Sequence, residues 1–505
     1  MPHDQPPPAT AAAAVTLPAA HRPARRTLVL AACLMATFMA AVESTIVATA
    51  MPTIVAELGG FNLFSWIFAI YLLTQAVTIP IYGRLADIYG RKRVFYAGAG
   101  LFLIGSTLCG FAPDMLWLIA FRALQGCGAG GVQPIAMTIC GDIYTPSERA
   151  RVQGLISSVF GVAAVAGPSL GAWLVEHAAW EVVFWINLPV GAAAIAMIAM
   201  FLKETVERRP HRVDVVGSVL LAAGIGALML VLIQRADFSP GTSVAIALAG
   251  VAVLGVMLLH ERRIAEPMLM FGLLRERVIL VGSVGSGLAG AVMMGISAFL
   301  PAYVQGAMGQ TATMAGLVLG AMSVTWALAS IFGGRLMVRT TYRLAAVLGA
   351  LALIAGCVLL VTLTPERGVA WATAGSLIIG IGMGCCNTAF IVSIQAAVPW
   401  NRRGAATSWC LFLRFIGQAT GAAAFGAVLN ATITSRAPQA THMLDRLLDP
   451  AQRAALPEAQ RTDLIGLVAS GLHNAYWLGL ALSVATLLLV FLLPARLSPA
   501  QQSLR

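Results

Sequence analysis

The sequence predicts an all-α polytopic membrane protein with fourteen spanning helices, and three observations carry that prediction. Of its 505 residues, 59% are hydrophobic and only 10% are charged, where soluble domains carry about 25% charged residues. The mean hydropathy of +0.84 is too high for a chain with a wet surface. Fourteen stretches reach the ~20 mostly apolar residues that a helix needs to cross a bilayer.

Residues 1–20 are rich in Pro and Ala and are expected to be disordered. Arg22, Arg25 and Arg26 precede an apolar run, as in a secretory signal. That run, 28–50, is longer than a signal core and many spans follow, so an uncleaved first helix is expected. The next spans are expected at 63–84, 94–112, 115–138, 150–174 and 183–202, then 214–234 and 243–260. The last six fall at 278–302, 312–337, 343–363, 369–392, 405–430 and 473–495. The connection over 431–472 is long and nearly balanced in charge. Its helix formers suggest a short amphipathic helix lying on the surface, with a solvated spacer as the alternative.

Twenty-four of the 32 Lys and Arg residues fall on one set of connections and six on the other; Arg122 and Arg414 lie within spans. Positive charge marks the cytoplasmic side, so both termini are expected in the cytoplasm. The net charge of +11 is then a topology signal facing anionic lipid, and no nucleic-acid partner is expected. The eight cysteines lie in or at the ends of apolar segments and form no CxxC pair. They read as small hydrophobes, with no disulfide framework or metal site.

An internal echo is visible. Gly83-Arg84-Leu85 closes the second span and Gly334-Arg335-Leu336 the tenth, at an offset of 251. The glycines of 126–130 are echoed at 380–384, at an offset of 254. Two six-helix halves separated by an extra helix pair give such an offset, and repeated halves are a transporter build. The expected organisation is a tail (1–26), a six-helix bundle (27–207), an inserted two-helix hairpin (208–270), a second six-helix bundle (271–495) with the outer loop 431–472, and a tail (496–505).

Glu43 is the carboxylate placed deep inside a span, and ionising it in hydrocarbon is costly. It is the candidate proton carrier, with a purely structural hydrogen bond to a neighbouring helix as the alternative; the second half has Met294 at the equivalent place. Arg122 lies mid-helix and needs a carboxylate or carbonyl partner. Gly83, Asp87, Gly90 and Arg91 form a glycine-flanked charge cluster after the second span, suited to latching a gate. Gly161, Gly167, Pro168 and Gly171 mark the fifth span for kinking and close helix packing. Gln125 and Asn187 read as structural glue. Tyr71, Gln75, Tyr303, Gln305, Trp326, Phe390, Gln395, Trp409 and Arg414 are candidates to line a substrate cavity. All seven His residues sit in tails, loops or helix ends, so no catalytic residues and no intramembrane enzyme are expected.

Several of these stretches resemble one family. GRLADIYGRKR (83–93) resembles the cytoplasmic loop signature of the major facilitator superfamily, and LIAFRALQGCGAGG (118–131) its fourth-helix motif, whose Arg is tied to proton transfer. GVAAVAGPSLGA (161–172) resembles the fifth-helix antiporter motif, with Ala172 for the usual final Gly. VESTIVATAMP (42–52), WEVVFWINLP (180–189), LPAYVQGAMGQTATMAG (300–316) and the segment from Gln395 to Arg414 resemble the fourteen-spanner drug:proton antiporter branch. Glu43 there replaces the more usual Asp.

The resemblance implies the major facilitator fold, with the first and fourth spans as neighbours and Glu43 beside Arg122. It implies a proton-coupled antiporter that exports lipophilic or amphipathic small molecules by alternating access. Such a protein takes the proton as coupling ion without a cofactor and sits in a bacterial cytoplasmic membrane. An envelope adaptor protein is a further expected partner. Export of a single physiological lipid, siderophore-like or biosynthetic product is the alternative, and a membrane receptor or scaffold is the alternative of another class.

Overall fold

The structure, a computed structural model, describes residues 23–144, 146–204, 214–234, 238–264, 271–399, 403–437, 450–455 and 457–494. The first half comprises α1 (Pro23–Leu58), α2 (Phe64–Tyr89), α3 (Arg91–Cys109), α4 (Met115–Ile143), α5 (Pro146–His177) and a broken sixth span, α6 (Val182–Trp185) with α7 (Asn187–Phe201). The hairpin α8 (Val215–Ile233) and α9 (Pro240–Glu261) follows. The second half comprises α10 (Arg277–Ala302), α11 (Ala312–Arg339), α12 (Tyr342–Val361), α13 (Gly368–Ala397), α14 (Arg403–Arg436), the short α15 (Pro450–Ala455) and α16 (Glu458–Val490). Counting α6 and α7 together and setting α15 aside, fourteen spans cross the molecule among the described residues. Twelve are apolar enough alone to cross a membrane. Of the other two, α3 opens on Arg91-Lys92-Arg93, and α5 carries its charges in its first two turns, ahead of the uncharged apolar run 155–172. Exposed Leu116, Val162, Leu248, Phe332 and Leu488 suit a surface solvated by lipid, where helices satisfy every backbone group internally.

The repeat seen in the letters is a repeat in packing. α4 crosses α2, and α13 crosses α11, at small residues. A Cβ at Gly126 would collide with the Tyr71 carbonyl and the Thr74 hydroxyl; one at Gly380 would collide with the Met322 carbonyl and the Thr325 hydroxyl. Thr78 Oγ1 donates across the first crossing to the Cys127 carbonyl (3.2 Å), and Thr325 Oγ1 across the second to the Leu377 carbonyl (2.8 Å).

The halves meet where α5 packs on α11 and α2 on α14. The hairpin leans on α2 and α14 through α8, while α9 turns Val244, Leu248, Val251 and Leu259 outward. Hydrogen bonds between the halves cluster towards the face carrying the 59–63 turn. Asn430 Nδ2 donates to the Asn62 carbonyl (2.8 Å), Thr313 N and Oγ1 donate to Glu176 (2.7 and 2.5 Å), and Gln305 Nε2 donates to the Thr49 carbonyl (3.3 Å). Phe64 and Phe299 close the same end with ring centroids 5.0 Å apart.

The connection expected over 431–472 is shorter in the structure. α14 runs on to Arg436 and α16 begins at Glu458, because Leu464, Leu467, Val468 and Leu472 already bury an apolar face there and Gly471 packs on Leu429. Within what remains, α15 carries Arg453, which donates from Nη1 to the Gln305 carbonyl (2.8 Å).

Candidate functional site

Five helices converge on one buried polar cluster. α1 brings Glu43, 0% exposed, and α4 brings Arg122, 1% exposed. The two form a salt bridge through Arg122 Nη1 and Glu43 Oε1. Asn187 Nδ2 donates to the other carboxylate oxygen, Oε2, at 2.6 Å, and also reaches Ser106 Oγ at 3.0 Å. Gln125, one turn beyond Arg122 on α4, accepts from its Nη1 at 2.7 Å and donates from Nε2 to Ser106 Oγ at 3.1 Å. Arg122 Nε donates to the Ile67 carbonyl of α2 (3.3 Å), and its guanidinium stands 4.1 Å from the centre of the Tyr71 ring. Ser106 Oγ donates to the Phe184 carbonyl (2.7 Å).

The local sequence explains the convergence. Pro189 has no N–H to offer the Trp185 carbonyl, and the sixth span breaks between Trp185 and Asn187. The break sets Asn187 at the start of α7, buried and facing α1 and α3. The cluster is neutral as a whole, one carboxylate against one guanidinium, and each charge keeps further hydrogen bonds. Those bonds offset the several kcal/mol that desolvating each ion costs. Each oxygen of Glu43 accepts one of these bonds and keeps a second lone pair, so protonation requires access to the carboxyl and not the loss of a donor. A rotated Asn187 amide, presenting Oδ1, then accepts from the protonated acid.

The structure brings Glu43 and Arg122 together, whereas sequence reading set Gln125 and Asn187 aside as glue and passed over Ser106. All three touch the pair or its direct partners. The available signal was the Asn-Leu-Pro run at 187–189, a helix break in the middle of an apolar span.

The remaining sites disperse. Gly90 has a φ of +91°, which favours glycine, and links α2 to α3. Arg91 donates from Nη1 to the Ala86 carbonyl (3.2 Å) and pairs through Nε with Asp142 at 3.0 Å; Glu204 accepts from the N–H groups of Arg91 and Lys92 at 2.6 and 2.9 Å. Among the described residues, Asp142 thus meets the Arg91 side chain and Glu204 its backbone N–H. Asp87 lies in the last turns of α2, and its side chain falls outside the described residues. Around Gly83 a Cβ would meet nothing within 4 Å.

On α5 the motif splits between two partners. Gly167 and Gly171 leave room for Thr45, Ile46 and Thr49 of α1, whereas Gly161 faces Ala327 and the Pro168 carbonyl faces Gly316, both on α11. The motif therefore lies between Glu43's helix and the other half.

The proposed cavity lining is not one surface. Tyr71 belongs to the Arg122 site, and Gln75 is buried one turn further along α2. Tyr303 is buried, donates to the Leu363 carbonyl (3.1 Å) and borders a pocket of about 250 Å³ with Arg436, His473 and Asn474. Gln305 joins the halves at the 59–63 face. Phe390 lies in the core of the second half, its ring filling the space left by Gly285 of α10. Trp326 is partly buried on α11, where its carbonyl leaves no room for a Cβ at Gly384. Gln395 donates to Thr407 Oγ1 (3.2 Å), Trp409 packs edge-on against Phe412 (5.9 Å), and Arg414 donates to Asn387 Oδ1 (3.3 Å), all towards the opposite face.

Residues 33–422 match the family model of the Major Facilitator Superfamily. The chain is 34% identical to Multidrug resistance protein 3 of Bacillus subtilis, over 80% of this chain and 79% of that one. It is 31% identical to the multidrug transporter protein MdtP of the same organism, over 94% of each. Among solved structures, a bacterial homologue of the human lysosomal transporter Spinster, in an inward-facing and unoccupied conformation, superposes with a TM-score of 0.70 at 18% identity. That match covers 95% of this chain and all of that one.

Proposed function

This chain belongs to the major facilitator superfamily, and from that premise we propose that it is a proton-coupled antiporter exporting lipophilic or amphipathic small molecules, with Glu43 as proton carrier. The observation that carries the reading is the buried Glu43–Arg122 pair, which Asn187 completes from the break in the sixth span. The arginine bias supports an orientation with both termini cytoplasmic and the 59–63 face outward, in a bacterial cytoplasmic membrane on this reading.

On this reading the structure is the inward-facing state. The Asn62–Asn430 and Glu176–Thr313 bonds hold the outer ends of the halves together. Arg122 lies seven residues from the outer end of α4, so about 10 Å of helix separates the pair from that face. Rocking that parts the outer ends admits water to Glu43 and lets a proton reach a lone pair that no donor occupies. The α5 motif carries the change between halves, since Gly167 and Gly171 seat α1 while Gly161 and Pro168 face α11. Proton and substrate are coupled when each lowers the affinity for the other. The energy suffices, since one charge crossing 100 mV yields about 2.3 kcal/mol and a tenfold substrate gradient needs about 1.4 kcal/mol.

The test is transport by purified protein in liposomes under an imposed pH gradient. Glu43→Gln is expected to abolish pH-driven export while eluting as a monodisperse protein. Full pH-driven transport by that variant would end the proposal.

A further inference from the structure

Arg414 is a second cation within a span, half-buried, and the proton-coupling pair does not account for it. It stands eleven residues into α14, and its partner Asn387 stands ten residues before the end of α13. At 1.5 Å per residue both lie about 15 Å from that face, near the middle of a hydrocarbon layer of about 30 Å. The stem of Arg414 packs on α10, where a Cβ at Gly290 would come within 3.2 Å of its Cγ. The guanidinium makes one neutral hydrogen bond, Nη1 to Asn387 Oδ1 at 3.3 Å, and its Nε is buried with no partner. α14 is also the helix of the second half that packs on α2, so Arg414 stands on an element bordering the space between the halves.

No carboxylate of its own half reaches it. Between residues 277 and 436 the sequence contains one acid, Glu366, in the turn before α13 and twenty-one residues along the chain from Asn387. Glu276, before α10, is fourteen residues from Gly290, about 21 Å of helix. Glu43 is engaged by Arg122 and Asn187. Guanidinium does not shed its proton in a protein, so this charge persists in every state. A half-buried, permanent cation with open donors and no counter-ion among the described residues is a receptor for an anion, and its planar fork matches a carboxylate or sulfonate.

We infer that Arg414, oriented by Asn387, binds the anionic group of the transported molecule, so that amphipathic carboxylates and sulfonates are the preferred substrates. The inference rests on the exporter reading and deepens it by naming the substrate class. The apolar part of such a molecule has Trp409, Phe412 and Phe415 on the same helix, with Phe415 5.4 Å from the guanidinium carbon.

Two probes with one aromatic frame test it: 8-anilinonaphthalene-1-sulfonate and N-phenyl-1-naphthylamine, which lacks the sulfonate. Equilibrium dialysis against the purified full chain in a neutral detergent gives the ratio of their affinities. The wild type is expected to favour the sulfonate by at least about tenfold, as for a charge-assisted hydrogen bond. Arg414→Gln brings the ratio to about one, and Arg414→Lys keeps a preference. A wild-type ratio near one, or a ratio that survives Arg414→Gln, overturns the inference. Should Arg414→Gln not fold, phenylglyoxal labelling of the wild type is followed at Arg414 by peptide mass spectrometry. Protection by the sulfonate alone supports the site; protection by both probes or by neither rejects it. Transport of the neutral probe under a pH gradient reads the exporter proposal separately, so either idea can fail without the other.

Discussion

Neutralising Glu43 exposes the energetics of the buried pair. Glu43→Gln keeps the side chain's volume and leaves Arg122 charged, because guanidinium cannot escape by deprotonation. Removing one partner of a buried ion pair costs about 3–5 kcal/mol, whereas replacing both by neutral groups is often close to neutral. Arg122 retains the Gln125 amide oxygen, the Ile67 carbonyl and the Tyr71 ring, which favours the lower end, about 3 kcal/mol. For 505 residues at about 2.1 cal/mol/K each, the unfolding entropy is about 1 kcal/mol/K, so the midpoint falls by about 3 °C. Tryptophan fluorescence during thermal unfolding in detergent measures it. Adding Arg122→Gln is expected to restore most of the loss, although neither variant couples transport to protons. A double variant no more stable than Glu43→Gln would show that the two charges are not energetically linked, and the account of the cluster would fall.

Two further outcomes follow from the ends of the helices. The Glu176–Thr313 bonds are exposed and worth about 1 kcal/mol after screening, so Glu176→Ala shifts the balance towards the outward-open state by about fivefold. Labelling of Asn62→Cys by a hydrophilic maleimide is expected to quicken accordingly; an unchanged rate would remove this pair from the outer closure. At the start of α8, Asp214 accepts from Gly217 N (2.8 Å) and meets His260 Nε2 at 2.9 Å. Burial pushes its carboxyl up, but the Gly217 N–H with His260 and Glu261 outweighs that and holds it below the ordinary carboxylate value. A depressed carboxyl stabilises the fold above its unfolded value and loses that contribution as pH falls through the folded one. Protection of the amides in the first turn of α8, taken relative to their intrinsic exchange rate at each pH, is thus expected to fall on acidification. Asp214→Ala, losing the cap at a cost of about 1 kcal/mol, is expected to exchange fast at every pH; identical profiles for the two proteins would reject the cap.

Much of the molecule was legible in its letters for a physical reason. Hydrocarbon demands long apolar helices and marks their cytoplasmic ends with arginine, so composition and charge alternation determine the number of spans and the repeat of two halves. A carboxylate at position 43 and an arginine at 122 are so costly in that solvent that each stood out alone. What surrounds them was not legible, because an uncharged Asn, Gln or Ser costs too little to stand out and its partners depend on helix rotation. Only the fold brought Asn187 and Ser106 to Glu43, gave Arg91 to Asp142 and Glu204, and divided the α5 motif between α1 and α11. It also left Arg414 without a counter-ion among the described residues. Such pairings are decided by which faces of separate helices meet, and that is a property of packing in three dimensions.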